Sequence, residues 1–269
     1  MSLNEAKNWT GALGVLLESS QDRDPAEVIR ELCDLAHAMG DEAAEALLDA
    51  DPTLYRHMPA LTRAFYERVV RKEMAETERL LRHVWVGPVS FVDVASAAVM
   101  RTYNRVREMF ERVDFRACRR FVMVGCGRLP VTMFHVHDRT ETTEIIGLDI
   151  VPDAIETARA IAARFGYARI GAELCDGQAH DYGRAQIIFI TNMIASKAAV
   201  LSRIAETAPP DVRIIVREPY SLRRLWSESG ERSLDPRLEI IGWGSAHPTL
   251  SRDLYLKRRS EPISGGQVR

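Results

Sequence analysis

The chain has 269 residues, 46% of them hydrophobic, with 36 basic against 38 acidic side chains for a net charge of −2. That is enough apolar surface for a full core in one large or two small domains. The near balance of charge excludes a general electrostatic pull toward nucleic acid, and no uninterrupted apolar stretch is long enough to cross a bilayer.

The first residues show no basic segment leading into an apolar one. Four cysteines (Cys33, Cys118, Cys126 and Cys175) are widely spread and form no CxxC pair, which gives neither a zinc site nor a disulfide framework. We expect a cytoplasmic protein with no metal that acts on a small molecule away from membranes, with a homodimer allowed. From residue 4 to about 112 apolar residues recur at three- and four-residue spacing, which predicts helices throughout. Breaks fall at residues 20–25, where Asp24-Pro25 supplies an N-cap and a first-turn proline, at Gly40-Asp41 and at Asp51-Pro52. Longer helical segments cover 61–84, ended by Gly87-Pro88, and 92–113.

After Arg116 the rhythm changes. Apolar runs suited to buried parallel strands occupy 121–124, 144–148, 187–190 and 212–216, with a weaker strand at 168–174 and helices at 152–165 and 196–207. Residues 238–243 and 254–257 read as a closing antiparallel pair, and 260–269 as a loose tail. The expected fold is α/β: a Rossmann-like class I methyltransferase sheet, mostly parallel with an antiparallel edge, over residues 116–269, behind an N-terminal helical cap domain of residues 1–115.

The segment from Phe121 to Thr132, reading FVMVGCGRLPVT, carries the chemistry together with Ile145 to Asp149. A buried strand opening into Gly-x-Gly, then a helix, then a strand ending in an acid, holds a nucleoside on the edge of a parallel sheet. Gly125 and Gly127 let the backbone approach the ligand closely. Asp149 can accept hydrogen bonds from both ribose hydroxyls. The third glycine of a dinucleotide loop is missing, with Leu129-Pro130 in its place, so S-adenosylmethionine is the expected ligand. Two more polar residues follow strands: Asp176, placed for an adenine amino group, and Asn192, near the methionine part.

On these residues the chain resembles the nicotianamine synthase family, including the bacterial opine-metallophore synthases, whose loop has the form V-G-S/C-G-x-x-P-x-T. Here that is Val124 to Thr132, and the likeness continues through Asp149, Val216-Arg217 and His247-Pro248-Thr249. It reaches back to the acidic helix of residues 71–83 and to Tyr103-Asn104, spanning roughly 60–258. The resemblance adds Pro130, Thr132 and Arg217 to the cofactor-binding candidates Gly125, Gly127, Asp149, Asp176 and Asn192.

The resemblance implies a use of S-adenosylmethionine other than methyl transfer. An amine attacks the γ-carbon of the methionine chain, methylthioadenosine leaves, and a 2-aminobutanoate unit is moved. Glu76 is the candidate base or anchor for the amine, and Tyr103, Tyr220 and Trp85 are candidate aromatic walls for the sulfonium. Asn192 joins Glu76, Tyr103 and Tyr220 as a catalytic candidate. In the plant enzymes the arginine after the strand precedes small residues, whereas here Arg217 precedes Glu218-Pro219-Tyr220. Such bulk narrows the room for a second amino acid. The reading placed first is therefore cyclisation by the substrate's own α-amine to azetidine-2-carboxylate, as in bacterial azetidine-2-carboxylate synthases. Transfer to another amino acid follows, then ordinary methylation, then a binding module without turnover.

Overall fold

The computed structural model describes residues 3–18 and 23–259. The expected tail at 260–269 and the start of the break at 20–22 lie outside the described residues. Three helices open the chain: α1 (Leu3–Glu18), α2 (Pro25–Met39) and α3 (Asp41–Ala50). Pro25 begins α2, where a missing N–H costs nothing, and the Asp24 carbonyl accepts from the amides of Glu27 and Val28. A short 3-10 turn, Pro52–His57, leads into the long α4 (Met58–Arg82).

The segment expected as one helix over 92–113 is three short ones, α5 (Phe91–Val94), α6 (Ala97–Arg105) and α7 (Arg107–Arg112). Extended backbone at Ala95 and Ser96 makes the first break. Ser96 then caps α6, its hydroxyl accepting from the Val99 amide at 3.4 Å.

The sheet follows: β1 (Arg120–Val124), β2 (Glu144–Asp149), β3 (Ile170–Leu174), β4 (Ile187–Ile190), β5 (Arg213–Pro219), β6 (Leu238–Trp243) and β7 (Ser251–Arg258). Helices α8 (Val131–Arg139), α9 (Pro152–Arg164) and α10 (Lys197–Thr207) connect the parallel strands. The strand order is β3-β2-β1-β4-β5-β7-β6, with β7 antiparallel to both neighbours. The order turns back at β1 and β4, and ligands of open α/β sheets bind beyond the carboxyl ends of the strands at such a switch.

Side chains alternate across the sheet with the period of two that a strand imposes. Val122, Val124, Ile146, Ile188, Ile190 and Val216 bury one face against Val200, Leu201 and Ile204 of α10. Phe121, Met123, Ile145, Phe189 and Ile215 bury the other against Met109, Met133, Val136 and Ile155. A third core joins the N-terminal helices to the chain after β5, packing Leu17, Leu32 and Leu48 with Tyr220, Leu222, Leu225 and Trp226. The helical half thus shares its interior with the sheet half. A polar tie reinforces this core, because the buried Arg224 bonds Glu45, Asp49 and the Tyr55 hydroxyl while Glu45 accepts from the Ser221 amide at 2.7 Å.

Candidate functional site

The turn after β1 is built by the neighbouring strand. The amides of Gly125 and Cys126 both donate to the Leu148 carbonyl, at 2.8 and 3.0 Å. Gly125 has φ 76° and Gly127 φ 65°, the left-handed region that favours glycine. A Cβ at Gly125 would meet the Ile194 side chain and lie 2.6 Å from Thr191 Oγ1. Space as well as conformation therefore requires glycine there. Pro130 precedes α8 and the buried Thr132 lies in its first turn.

Asp149, at the end of β2, fixes the same loop. Its carboxylate accepts from the Gly127 amide at 2.9 Å and from the Val151 amide at 3.0 Å. A carboxylate has about four acceptor positions, so two such bonds leave room for ribose hydroxyls. Asp176, exposed after β3, accepts from the Gln178 amide at 2.9 Å and so holds its own turn. Beside these acids the large apolar side chains Ile150 and Leu174 stand 69% and 57% exposed, an apolar border of the kind that suits a flat base.

Asn192, after β4, and Arg217, on β5, come together. With its amide oriented to satisfy both neighbours, Asn192 donates to the Arg217 carbonyl at 2.8 Å and accepts from Arg223 Nη2 at 3.1 Å. The Arg217 guanidinium is held by Asp253 at 2.9 and 3.2 Å and stacks 5.0 Å from the Phe189 ring.

A second acid meets the loop from the helical half, Glu73 on α4. Its Oε2 would lie 3.2 Å from a Cβ at Gly127. Burial pushes this carboxyl up to about 7, against a hydrogen bond from the Arg128 backbone and with Asp149 adding to the rise. The sequence carried a signal for it. Leu61, Thr77 and Leu80 are the buried residues of α4, Phe65 packs in the core of Leu61, and Glu73 falls four residues before Thr77 on that same stripe.

Glu76, the acid expected in this role, is engaged elsewhere. Its carboxylate accepts from Arg79 at 2.7 and 3.0 Å and from the Ser96 amide at 2.8 Å, tying α4 to the start of α6. Tyr103 also has partners of its own: its hydroxyl donates to Asp138 of α8 at 2.6 Å, and its ring lies 4.4 Å from His135 and 6.4 Å from Phe91. The Trp85 ring packs on His83 at 4.0 Å, between α4 and α5. Tyr220 is buried in the core shared by the two halves, its hydroxyl donating to the His247 carbonyl at 3.2 Å. Tyr103 shares a core with Leu129 and Val131, just beyond the glycines, and long aromatic side chains bury themselves in the nearest core when their polar end finds a partner.

Comparison with known proteins bears on the fold. A family model described as a methyltransferase domain matches residues 120–249. Among solved structures, a Glu-to-Gln mutant of MtNAS in complex with S-adenosylmethionine superposes with a TM-score of 0.72 at 17% identity, covering 93% of this chain and 98% of its own. MtNAS in complex with MTA and tNA gives 0.67 at 17% identity, covering 96% and 98%. No curated protein matches by sequence. The fold is that of a class I methyltransferase with an N-terminal helical region, and the likeness to MtNAS runs through both halves. Among the described residues no helix is long and apolar enough to cross a membrane.

Proposed function

We propose that the protein consumes S-adenosylmethionine by amine attack on the γ-carbon of the methionine chain, releasing methylthioadenosine. The observation that carries this reading is Glu73, a carboxyl raised to about 7 and enclosed against the glycine loop. The nucleoside would lie over Gly125 to Gly127, its ribose on Asp149 and its base between Ile150 and Leu174 near Asp176, with the methionine chain running toward Asn192. Attack requires a neutral amine in line with the carbon–sulfur bond. The amine lone pair forms the new carbon–nitrogen bond, the electron pair of the broken carbon–sulfur bond stays on sulfur as a neutral thioether, and the surplus amine proton passes to Glu73. A carboxyl near 7 suits that transfer at neutral pH. The likeness to MtNAS, whose structures hold S-adenosylmethionine and MTA, supports the same chemistry.

For the source of the amine we place cyclisation to azetidine-2-carboxylate first. The chain beyond β5 carries the bulky Tyr220, Leu222, Leu225 and Trp226, packed on the N-terminal helices, and this bulk favours the reading that needs no second amino acid. Glu218 does not contribute to that bulk, since it is buried against Ser229, Gly230 and Lys197. Transfer of the 3-amino-3-carboxypropyl group to another amino acid is the second reading, drawn from the likeness to MtNAS across the whole chain. Incubating the protein with S-adenosylmethionine alone and reading the products by mass decides between them. Methylthioadenosine with azetidine-2-carboxylate supports cyclisation, and release that depends on an added amino acid supports transfer. Accumulation of S-adenosylhomocysteine would sink both.

A further inference from the structure

Beyond the glycine loop, at the carboxyl end of β5, the protein collects positive charge that its own acids do not balance. Arg105 reaches from the end of α6 to the first residue of β7, donating to Ser251 Oγ at 2.9 Å and to the Ser251 carbonyl at 3.1 Å. Arg223 is buried, with its donors on Ser227 Oγ at 3.4 Å, the Thr249 carbonyl at 2.7 Å and the Asn192 oxygen. Arg217 stands between them on Asp253. Among the described residues Asp253 is the only carboxylate bonded to any of these three guanidiniums. Glu108 is close enough to act on Arg105, but its bonds are to Arg112 and Ser245.

The surroundings register the imbalance. Burial and then the charge of Arg217 push the Arg105 guanidinium down to about 9. His247, 2.8 Å from Thr249 Oγ1, is pushed down to about 4 by burial and by Arg105, Arg217 and Arg223, so it stays neutral and adds no charge of either sign. Arg252 stacks 3.7 Å from the Trp243 ring, and its buried Nε has no partner among the described residues. Gathering buried guanidiniums without anions is costly. An arrangement of this kind is stable when an anion completes it, and the planar fork of arginine matches a carboxylate.

We infer that Arg105, Arg217 and Arg223 form a subsite for the carboxylate of an α-amino acid, with Asn192 linking it to the nucleoside loop. The inference rests on the proposed γ-carbon chemistry. Strands stand about 4.8 Å apart, so β5 lies roughly 10 Å from β1, a distance the methionine chain of a bound nucleoside or a second substrate can approach. Both sources present the same group, and both reactions gain from fixing it. A clamped carboxylate aims the amine at the γ-carbon and removes rotational freedom before the displacement.

The test is calorimetry on the full chain with S-adenosylmethionine, its decarboxylated analogue and methylthioadenosine, using wild type, Arg105→Gln and Arg105→Lys. Arg105 is part-exposed, which makes its replacement compatible with folding, and Arg105→Lys keeps the charge while losing the fork. If the methionine carboxylate is the occupant, wild type should prefer S-adenosylmethionine over the decarboxylated analogue by about tenfold or more. Arg105→Gln should erase most of that preference, Arg105→Lys should keep part of it, and methylthioadenosine affinity should not change. If a second substrate is the occupant, the analogue should bind equally well. Protein saturated with methylthioadenosine should then take up a component of a mixture of the twenty common amino acids, and Arg105→Gln should not. Equal binding of the two nucleosides with no amino-acid uptake overturns the subsite while leaving the nucleoside reading standing. Failure of wild type to bind methylthioadenosine at all takes both down.

Discussion

In the proposed reaction Glu73 takes the amine proton. Its folded carboxyl, at about 7, lies above the ordinary 4.5, so ionising it costs the folded state. That cost is absent below about pH 4.5, grows as pH rises and is complete above 7. Glu73→Gln should therefore gain roughly 1–3 kcal/mol at pH 8 and nothing at pH 4, read by urea unfolding. If Glu73 takes the amine proton, methylthioadenosine release in wild type should climb through about pH 7, and Glu73→Gln should be slow and flat across that range. Glu76→Gln should keep most of the rate, because its bonds tie α4 to α6. Asp149→Ala should cost on the order of 2–4 kcal/mol of S-adenosylmethionine binding by calorimetry. Asp149→Asn tests the ribose bonds with less disturbance of the loop held at Gly127 and Val151. Gly125, Gly127 and Asp149 could be read from the sequence because backbone conformation and strand position define them locally. Glu73 could not be placed as easily, since its position against the loop depends on which face of α4 meets a segment some fifty residues away.

At the scale of elements, the strands were the most legible part. Residues 187–190 and 238–243 form strands with the bounds that their apolar runs predict, and the others shift by up to three residues at an end. Parallel strands buried on both faces advertise themselves as continuous apolar runs. The helical segment of 92–113 was less legible, as its breaks come from extended backbone at Ala95 and Ser96 and a turn at Val106 rather than from glycine or proline. The contact of α3 with the chain after β5 was invisible in the sequence, because it joins residues about 175 positions apart. It should nonetheless hold much of the fold. Arg224→Ala leaves Glu45 and Asp49 without their buried partner and should cost about 2–3 kcal/mol in urea unfolding. Arg232→Ala, which removes only a half-exposed bond to Asp49, should cost less than about 1 kcal/mol.

For the whole molecule, the expected division at 115 and 116 meets a core that both halves build. Removing residues 1 to about 60 would strip Leu17, Leu32 and Leu48 from Tyr220, Leu222, Leu225 and Trp226. We expect the truncated chain to lose the sheet as well as turnover, and the full chain to unfold in one transition by near- and far-ultraviolet circular dichroism alike. Two separated transitions would restore independent domains. The placing of Glu73 and Asp149 around one loop also bears on how a catalytic cycle ends. On the proposed chemistry the substrate would enter as a sulfonium facing anionic carboxylates, whereas after displacement the sulfur would be uncharged and Glu73 would hold a proton. Attraction that favours capture would then be cancelled by the reaction itself, which would weaken the hold on the spent nucleoside. At pH 8 methylthioadenosine should bind at least about tenfold more weakly than S-adenosylmethionine, and that gap should shrink in Glu73→Gln.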